Sequence, residues 1–301
     1  MTDRTFRFSE IQRFKWCRRS WLNGYHLGLE KPRKADAPPS GQREVGTLLD
    51  RAIRFYYWDG SDPVATVRAE ADKIRAEIRE AGNEVSKAWE DEFFLAERMA
   101  GSYMEYLETE GVDAGEITMG VELEVHWTLP YLILGDRVTI TGHIDRLVLD
   151  TTWDQIILED TKTVGTLEKH EQFQVDDQLL TYATMLQEWG LPVRRARHNM
   201  VKKVARKTAN AKPPFCGRVE VEFNDEQIAS HRRNLTNVCL DLVRTIQSLE
   251  ADQSGGVYPS PSRDCTWKCD FLPICTAHDD GSDLPGLRDA LYVKRPKENL
   301  S

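Results

Sequence analysis

The chain of 301 residues is long enough for one large domain, or a core domain with helical additions, and 40% apolar against 30% charged residues describes an ordinary globular protein. No run of about 18 apolar residues occurs, which excludes a transmembrane helix, and the N-terminal MTDRTFRFSE lacks the apolar stretch of a secretory leader; a cytoplasmic protein without membrane partners is expected. The net charge of −9 would repel a polyanion if it were evenly spread, and it is not.

In chain order, residues 8–25 read as a helix with Ser9 as its N-cap, and they are basic around Arg13, Lys15, Arg18 and Arg19. KPRKADAPPSG (31–41) is a Pro-rich break. Helices follow at about 43–57, 62–81 and 84–110, the last carrying Trp89, Phe93, Phe94, Met99, Tyr103 and Tyr106 at near-helical spacing, which reads as core. After Gly111 the character changes: runs 116–128, 137–149 and 155–162 are rich in Ile, Val, Leu and Thr and read as strands, with turns at Gly135-Asp136 and DTTWD. A helix at 172–189 ends at Gly190-Leu-Pro192, strands follow at 193–203 and 217–223, and a helix capped by Asn224 covers 225–250. This order predicts an α/β fold, a mixed sheet with packed helices and a helical N-terminal region. The divisions expected are a helical region over 1–111, a core over 112–250, and a Cys-rich segment with a polar tail over 251–301.

RRARHNMVKKVARKTANAK (194–212) contains no acid. Its Lys202, Lys203, Arg206 and Lys207, with Arg18 and Arg19, are candidates for gripping a phosphate backbone, because local potential decides where a polyanion lies.

GHIDRLVLDTTWDQIILEDTKT (142–163) puts acids into strand-like runs. Residues two apart on a strand share a side, so Asp160 and Lys162 project together while Glu159 and Thr161 face the other way. A hairpin would lay Asp145 near them. Two convergent carboxylates repel unless a cation sits between them, and Mg²⁺ or Mn²⁺ with oxygen ligands meets that need. Such a cation polarises a phosphoryl oxygen and activates water, while Lys162 orients that water or stabilises the developing charge. The pattern points to phosphodiester hydrolysis.

These residues resemble the PD-(D/E)XK nuclease superfamily, in particular its RecB-like branch. Gly142-His-Ile-Asp145 matches the G-x-x-D strand, Asp160-Thr-Lys162-Thr163 the D-x-K-T strand, and Gln178-Leu-Leu-Thr-Tyr182 the Q-x-x-x-Y helix. The resemblance implies a restriction-endonuclease-like mixed sheet with flanking helices, with Asp145 and Asp160 as metal ligands. Gln178 and Tyr182, on one helix face, would point at the site. The VELEV run resembles the preceding strand and offers Glu122 as an extra site candidate. The branch usually carries G-T-x-x-H on an early helix, with the His on the metal; Gly46-Thr-Leu-Leu-Asp50 places Asp50 there, a carboxylate still suited to Mg²⁺ or Mn²⁺.

Six cysteines stand at 17, 216, 239, 265, 269 and 275. Cys265, Cys269 and Cys275 form C-x₃-C-x₅-C, three thiolates and so one short of a tetrahedral set, with Cys17 the candidate fourth. Four thiolates suit a [4Fe–4S] cluster or Zn²⁺. Ser9-x₇-Cys17-x-Arg19 resembles the N-terminal element of RecB-like nucleases that join their termini through an iron–sulfur cluster, a group including CRISPR-adaptation exonucleases, their phage relatives and the AddB nuclease domain. That group uses C-x₂-C-x₅-C, so one extra residue separates the first pair here. Cys216 and Cys239 read as ordinary small residues.

The resemblance implies a metal-dependent DNA exonuclease acting on single strands or DNA ends in recombination, repair or phage DNA processing, with Trp16 and Trp21 available to stack on unpaired bases. Alternatives are an end-trimming subunit of a recombination or CRISPR-adaptation complex, and a DNA-binding protein whose catalysis has decayed. No helicase P-loop is present.

Overall fold

A computed structural model describes residues 1–32, 43–167, 177–204, 211–251 and 256–295. The chain forms two compact units, Met1–Pro32 with His126–Gly142 and Arg232–Ser301, and Arg33–Val125 with His143–His231.

The second unit begins with helices α3 (Arg43–Asp59), α4 (Pro63–Glu80) and α5 (Lys87–Glu110), numbered after two short helices of the first unit. Asp62 caps α4 by accepting from the Val64 and Ala65 amides at 2.7 and 3.0 Å, and Pro63 supplies the first helical position. Gly111 ends α5 in the left-handed conformation, φ 59°. The three helices interlock through Val45, Leu48, Leu49, Val67, Ala71, Phe93, Ala96 and Met99. Trp89 and Tyr103 join this core as expected, whereas Phe94 is exposed, because it falls one residue round the helix from Phe93.

The sheet of this unit contains the second part of β4 (Arg137–Asp150), β5 (Gln155–Val164), β6 (Arg195–Lys202) and β7 (Cys216–Glu222); β3 (Glu116–Thr128) pairs with β4. β4 and β5 are antiparallel, with Arg146 opposite Glu159; β5 and β6 are parallel, with Asp160 opposite His198; β6 and β7 are antiparallel. The Asp150 side chain makes the β4–β5 turn by accepting from the Thr152 and Trp153 amides. Helices cover both faces: Tyr103 on α5 accepts from Asn199 on β6 at 2.7 Å, and α6 (Asp177–Glu188) meets the face bearing Asp160. The expected helix start at 172–176 lies outside the described residues.

Beneath β5, Glu159 is fully buried and paired with Arg146 at 3.3 Å and with the Arg197 Nε. Arg218 approaches it to 3.7 Å and bonds Asp113 at 2.6 Å, and Arg197 bonds Glu116 at 2.7 Å. Burial alone would raise the Glu159 carboxyl, yet Arg197, Arg218 and Arg146 hold it below its ordinary value. Arg146 also lies over the Tyr57 ring, 3.7 Å from its centroid. Arg194 pairs with Asp225 and Arg195 with Asp150 and Glu220, so these two arginines of the basic run are paired within the fold.

In the first unit β1 (Asp3–Arg7), which the sequence reading missed, pairs in parallel with Arg137–Thr141 of β4. The expected helix 8–25 is broken. Helix α1 (Phe8–Trp16) stops at Cys17, whose backbone is extended (φ −162°, ψ 113°), and α2 (Arg18–Trp21) runs into a π-turn, Leu22–His26. Ser9 is not the cap: it sits inside α1, and Arg7 holds that position without a side-chain capping bond to the helix. Asn224 does cap the helix after it, α7 (Asp225–Glu250), accepting from the Gln227 amide at 2.9 Å while the Gln227 side chain bonds back to the Asn224 amide. The short α8 (Cys265–Lys268), α9 (Leu272–Cys275) and α10 (Leu284–Leu291) follow, and β2 (Leu29–Glu30) pairs with β8 (Val293–Lys294) beside a cluster of Leu29, Phe271, Ile274 and Tyr292. Among the described residues, no helix is long and apolar enough to cross a membrane.

Removing Glu159 would leave three guanidiniums crowded without their central anion. Glu159→Ala is expected to lower the unfolding free energy by ~3–5 kcal/mol in urea titrations, the usual cost of uncovering a buried charge.

Candidate active site

Strand alternation divides the charges of β5. Glu159 points into the arginine network, and Asp160 points to the opposite face toward α6. There Gln178 Nε2 donates to Asp160 Oδ1 at 2.8 Å and His198 Nδ1 lies 2.9 Å from Oδ2. Lys162 Nζ lies 3.0 Å from Oδ1 and 2.9 Å from Oδ2, and it also donates to Gln178 Oε1 at 3.0 Å. Tyr182, one turn beyond Gln178, is buried; burial, then the Asp160 charge, pushes its hydroxyl to about 12, against a hydrogen bond with Gln178 that lowers it. The structure thus brings Asp160, Lys162, Gln178 and Tyr182 together.

Asp145 enters from β4, its Oδ2 accepting the Thr161 amide hydrogen at 2.7 Å. Its acidic neighbours are Asp50 on α3 and Glu122 on β3: ligand oxygens of Asp50, Glu122 and Asp145 all lie within 4.8 Å of one another. A hollow of ≈ 10 Å³, room for one ion or water, is lined by these three with Arg54, Tyr57 and Thr161 among others. Of the expected ligands, Asp50 and Asp145 fall in this group together with Glu122, while donors from three directions hold both oxygens of Asp160 on the neighbouring strand.

The local backbone explains Glu122. Exposure along β3 falls on Ile117 and Met119 and then on Glu124 and His126, so the alternation changes phase between them. Glu122 has φ 50°, a left-handed conformation uncommon outside glycine, which marks a bulge and turns its carboxylate to the acidic group. Gly120 permits this, since a Cβ there would meet the Leu123 side chain at 2.7 Å. A glycine inside a strand-like run was the available signal. Gly46 is explained similarly: a Cβ would press on Thr163 Oγ1 at 3.1 Å, so the helix carrying Asp50 can approach β5.

Burial is the first cause of a raised carboxyl at both Asp50 and Asp145. Asp50 reaches about 6, with Glu122 adding to burial and Arg54, 3.7 Å from Glu122, opposing it. Asp145 rises well above its ordinary value through burial, then the charges of Asp160 and Asp50. Crowded carboxylates of this kind suit a hard divalent cation, whose charge removes the repulsion.

Other expected residues fare differently. Arg19 is buried, its guanidinium bonded to Asp279 at 2.8 and 2.9 Å and to the Cys275 carbonyl at 2.8 Å, so it is committed inside the protein and unavailable to a phosphate. Arg18 pairs with Asp241 at 2.9 Å between the rings of Phe14 and Tyr258. Trp21 is buried, donating to Glu10, and cannot stack on a base. Trp16 keeps partial exposure in a hollow of ≈ 320 Å³ with Arg13, Tyr25 and Lys268. Lys202 and Lys203 are partly exposed; Arg206 and Lys207 lie outside the described residues. Cys17 is buried, and Ser20, three residues on, places its Oγ 4.0 Å from Cys269 Sγ. Burial raises the Cys269 thiol, and the charges of Cys17 and Cys265 add to the effect. Cys216 and Cys239 are buried.

A mixed sheet flanked by helices, with acids from adjoining strands beside an Asp-x-Lys pair, defines a restriction-endonuclease-like protein with a candidate metal centre. The family model of the PD-(D/E)XK nuclease superfamily matches residues 5–276, and the chain belongs to that superfamily. Among solved structures it is similar to a candidate exonuclease from Eubacterium rectale, 12% identical over 91% of this chain and 88% of that one, with a TM-score of 0.45. It is also similar to LHK-Exo in complex with dAMP, 15% identical over 68% and 94%, with a TM-score of 0.31. No curated protein matches the chain.

An acid with a higher pKa in the folded than in the unfolded chain binds its proton more tightly when folded, so its ionisation costs stability. The metal-free chain should therefore lose stability as pH rises from 3.8 to about 6 on account of Asp50, a shift worth at most ~3 kcal/mol. Asp50→Asn is expected to raise metal-free stability by ~1–3 kcal/mol near pH 7 but little near pH 4, read by urea unfolding in EDTA. An equal effect at both pH values would contradict the desolvation argument.

Proposed function

We propose that the chain is a metal-dependent DNA exonuclease of the RecB-like branch, acting on single strands or free ends. The observation that carries this reading is the convergence of Asp50, Glu122 and Asp145 next to the Asp160–Lys162 pair. The donor set is all oxygen, which fits Mg²⁺ or Mn²⁺. Asp50, Glu122 and Asp145 would hold the cation, with Asp160 as a further ligand from the neighbouring strand. When bound, the cation supplies Lewis-acid activation of the phosphodiester and of water.

Lys162 sits at the open side of this group, its side chain 40% exposed. It can reach a phosphate oxygen, orient the attacking water and offset the negative charge that grows on phosphorus. Gln178, bonded to both Asp160 and Lys162, fixes the ammonium relative to the carboxylate; Tyr182 supports Gln178 from within the helix. Catalytic decay was suggested by an acid standing where the branch has histidine. Asp50 lies within the compact acidic group, which supports a working site instead. Preference for unpaired DNA is supported by the hollow of Trp16, Tyr25, Arg13 and Lys268, which pairs ring faces with cations.

Cys17, Cys265, Cys269 and Cys275 are proposed to hold a [4Fe–4S] cluster with a structural role. Ser20 and Arg19 bring the Cys17 segment against Cys269 and Cys275.

With Mn²⁺, wild type should degrade end-labelled linear DNA and spare covalently closed circles, while Asp160→Ala and Lys162→Ala fall by ~10²–10³-fold or more. Equal degradation by wild type and Asp160→Ala would refute the site, and equal cutting of closed circles would refute the exonuclease assignment. Anaerobic preparations should absorb near ~400 nm and contain iron and sulfide, and Cys17→Ser should lose most of both. Stoichiometric zinc in a colourless protein would overturn the cluster.

A further inference from the structure

We infer that His198 is the positioning residue that fixes the orientation of Asp160, an assignment resting on the nuclease reading above. Three side chains donate to Asp160, and they differ in how firmly each is placed. The Lys162 side chain is 40% exposed on a flexible stem, and its task at the site requires it to move toward a phosphate. Gln178 reaches across from α6 and divides its amide between Asp160 and Lys162. His198 is different. It is 1% exposed and stands directly opposite Asp160 in the parallel β5–β6 ladder, so backbone hydrogen bonds set the separation of the two residues.

An ionised carboxylate only accepts hydrogen bonds, so His198 must present Nδ1–H to Oδ2, 2.9 Å away. That bond holds one oxygen from behind. When Lys162 turns to substrate, Oδ1 loses one of its two donors and keeps Gln178, while Oδ2 stays anchored on His198, and the carboxylate cannot rotate away. Oriented partners behind ligating groups commonly matter ~10–100-fold in metal affinity or activity. A buried imidazole suits this place because its rigid ring donates one directed bond.

A purely structural role would show in stability alone, so the test uses three variants of the 301-residue chain. His198→Asn keeps an N–H close to the Nδ1 position, His198→Gln places its donor farther out, and His198→Ala removes it. Mn²⁺ affinity is read from the free-ion EPR signal, alongside thermal unfolding and the kcat and KM for linear DNA. The expected result is a ~10–100-fold loss of Mn²⁺ affinity and kcat in His198→Ala, with KM for DNA changed less than ~3-fold. His198→Asn should recover to within ~3-fold of wild type and exceed His198→Gln. If His198→Ala fails to fold, the Asn-over-Gln order still decides. Wild-type Mn²⁺ affinity in His198→Ala, no binding by wild type, or Asn no better than Gln would each overturn the assignment. If wild type binds Mn²⁺ but leaves DNA intact, the nuclease reading fails while the Mn²⁺ affinities still judge His198.

Discussion

A carboxylate without access to water, Glu159, lies in the middle of β5, and it is tolerable because Arg146, Arg197 and Arg218 close around it from β4, β6 and β7. Three guanidiniums brought together would repel one another, and the anion at their centre is what lets β4 and β6 lie beside β5 and β7 beside β6 with those guanidiniums converging. Glu116 and Asp113 complete the charge balance, and Tyr57 spreads its ring under Arg146. The consequence for the site is positional. Because Glu159 is pinned on one face, strand alternation obliges Asp160 and Lys162 onto the other, and the register of β4 brings Asp145 alongside.

The acidic side is built on the opposite principle. Where the arginine network cancels charge, Asp50, Glu122 and Asp145 accumulate it in a desolvated hollow, and the result is a pair of carboxyls that resist ionisation. The strained backbone of Glu122 adds to the same stored cost. Such an arrangement is unfavourable for the chain by itself and becomes favourable when a small doubly charged ion is supplied. The α3–α5 core, which carries Asp50, lies on the stabilising side of that balance.

Much of this was legible in the sequence. The β4–β5 hairpin followed from two β-rich runs around DTTWD, the facing of Asp160 with Lys162 from strand periodicity, and the start of α7 from Asn224. What stayed hidden depended on distant partners or on broken periodicity. The bulge at Glu122 shifts alternation by one residue, which a pattern of polar and apolar letters conceals. The break at Cys17 falls in a run of residues that all tolerate helix. Arg19 and Arg197 look like surface cations until Asp279, Glu116 and Glu159 arrive from far along the chain. The meeting of Asp160 with His198 is set by the register of a parallel pair, and a crossover through a helix leaves register open.

The first unit is assembled from three separated stretches of chain. Its opening stretch leaves the ribosome with Phe6, Phe8, Ile11, Phe14 and Trp21, all buried at the end of folding. The closing stretch emerges roughly 200 residues later, a wait of ~10–40 s at ordinary elongation rates. For that interval a sticky amphipathic leader has no finished surface to settle on. Cells making this protein face a timing problem that belongs to translation and chaperone supply, quite apart from any chemistry the mature molecule performs.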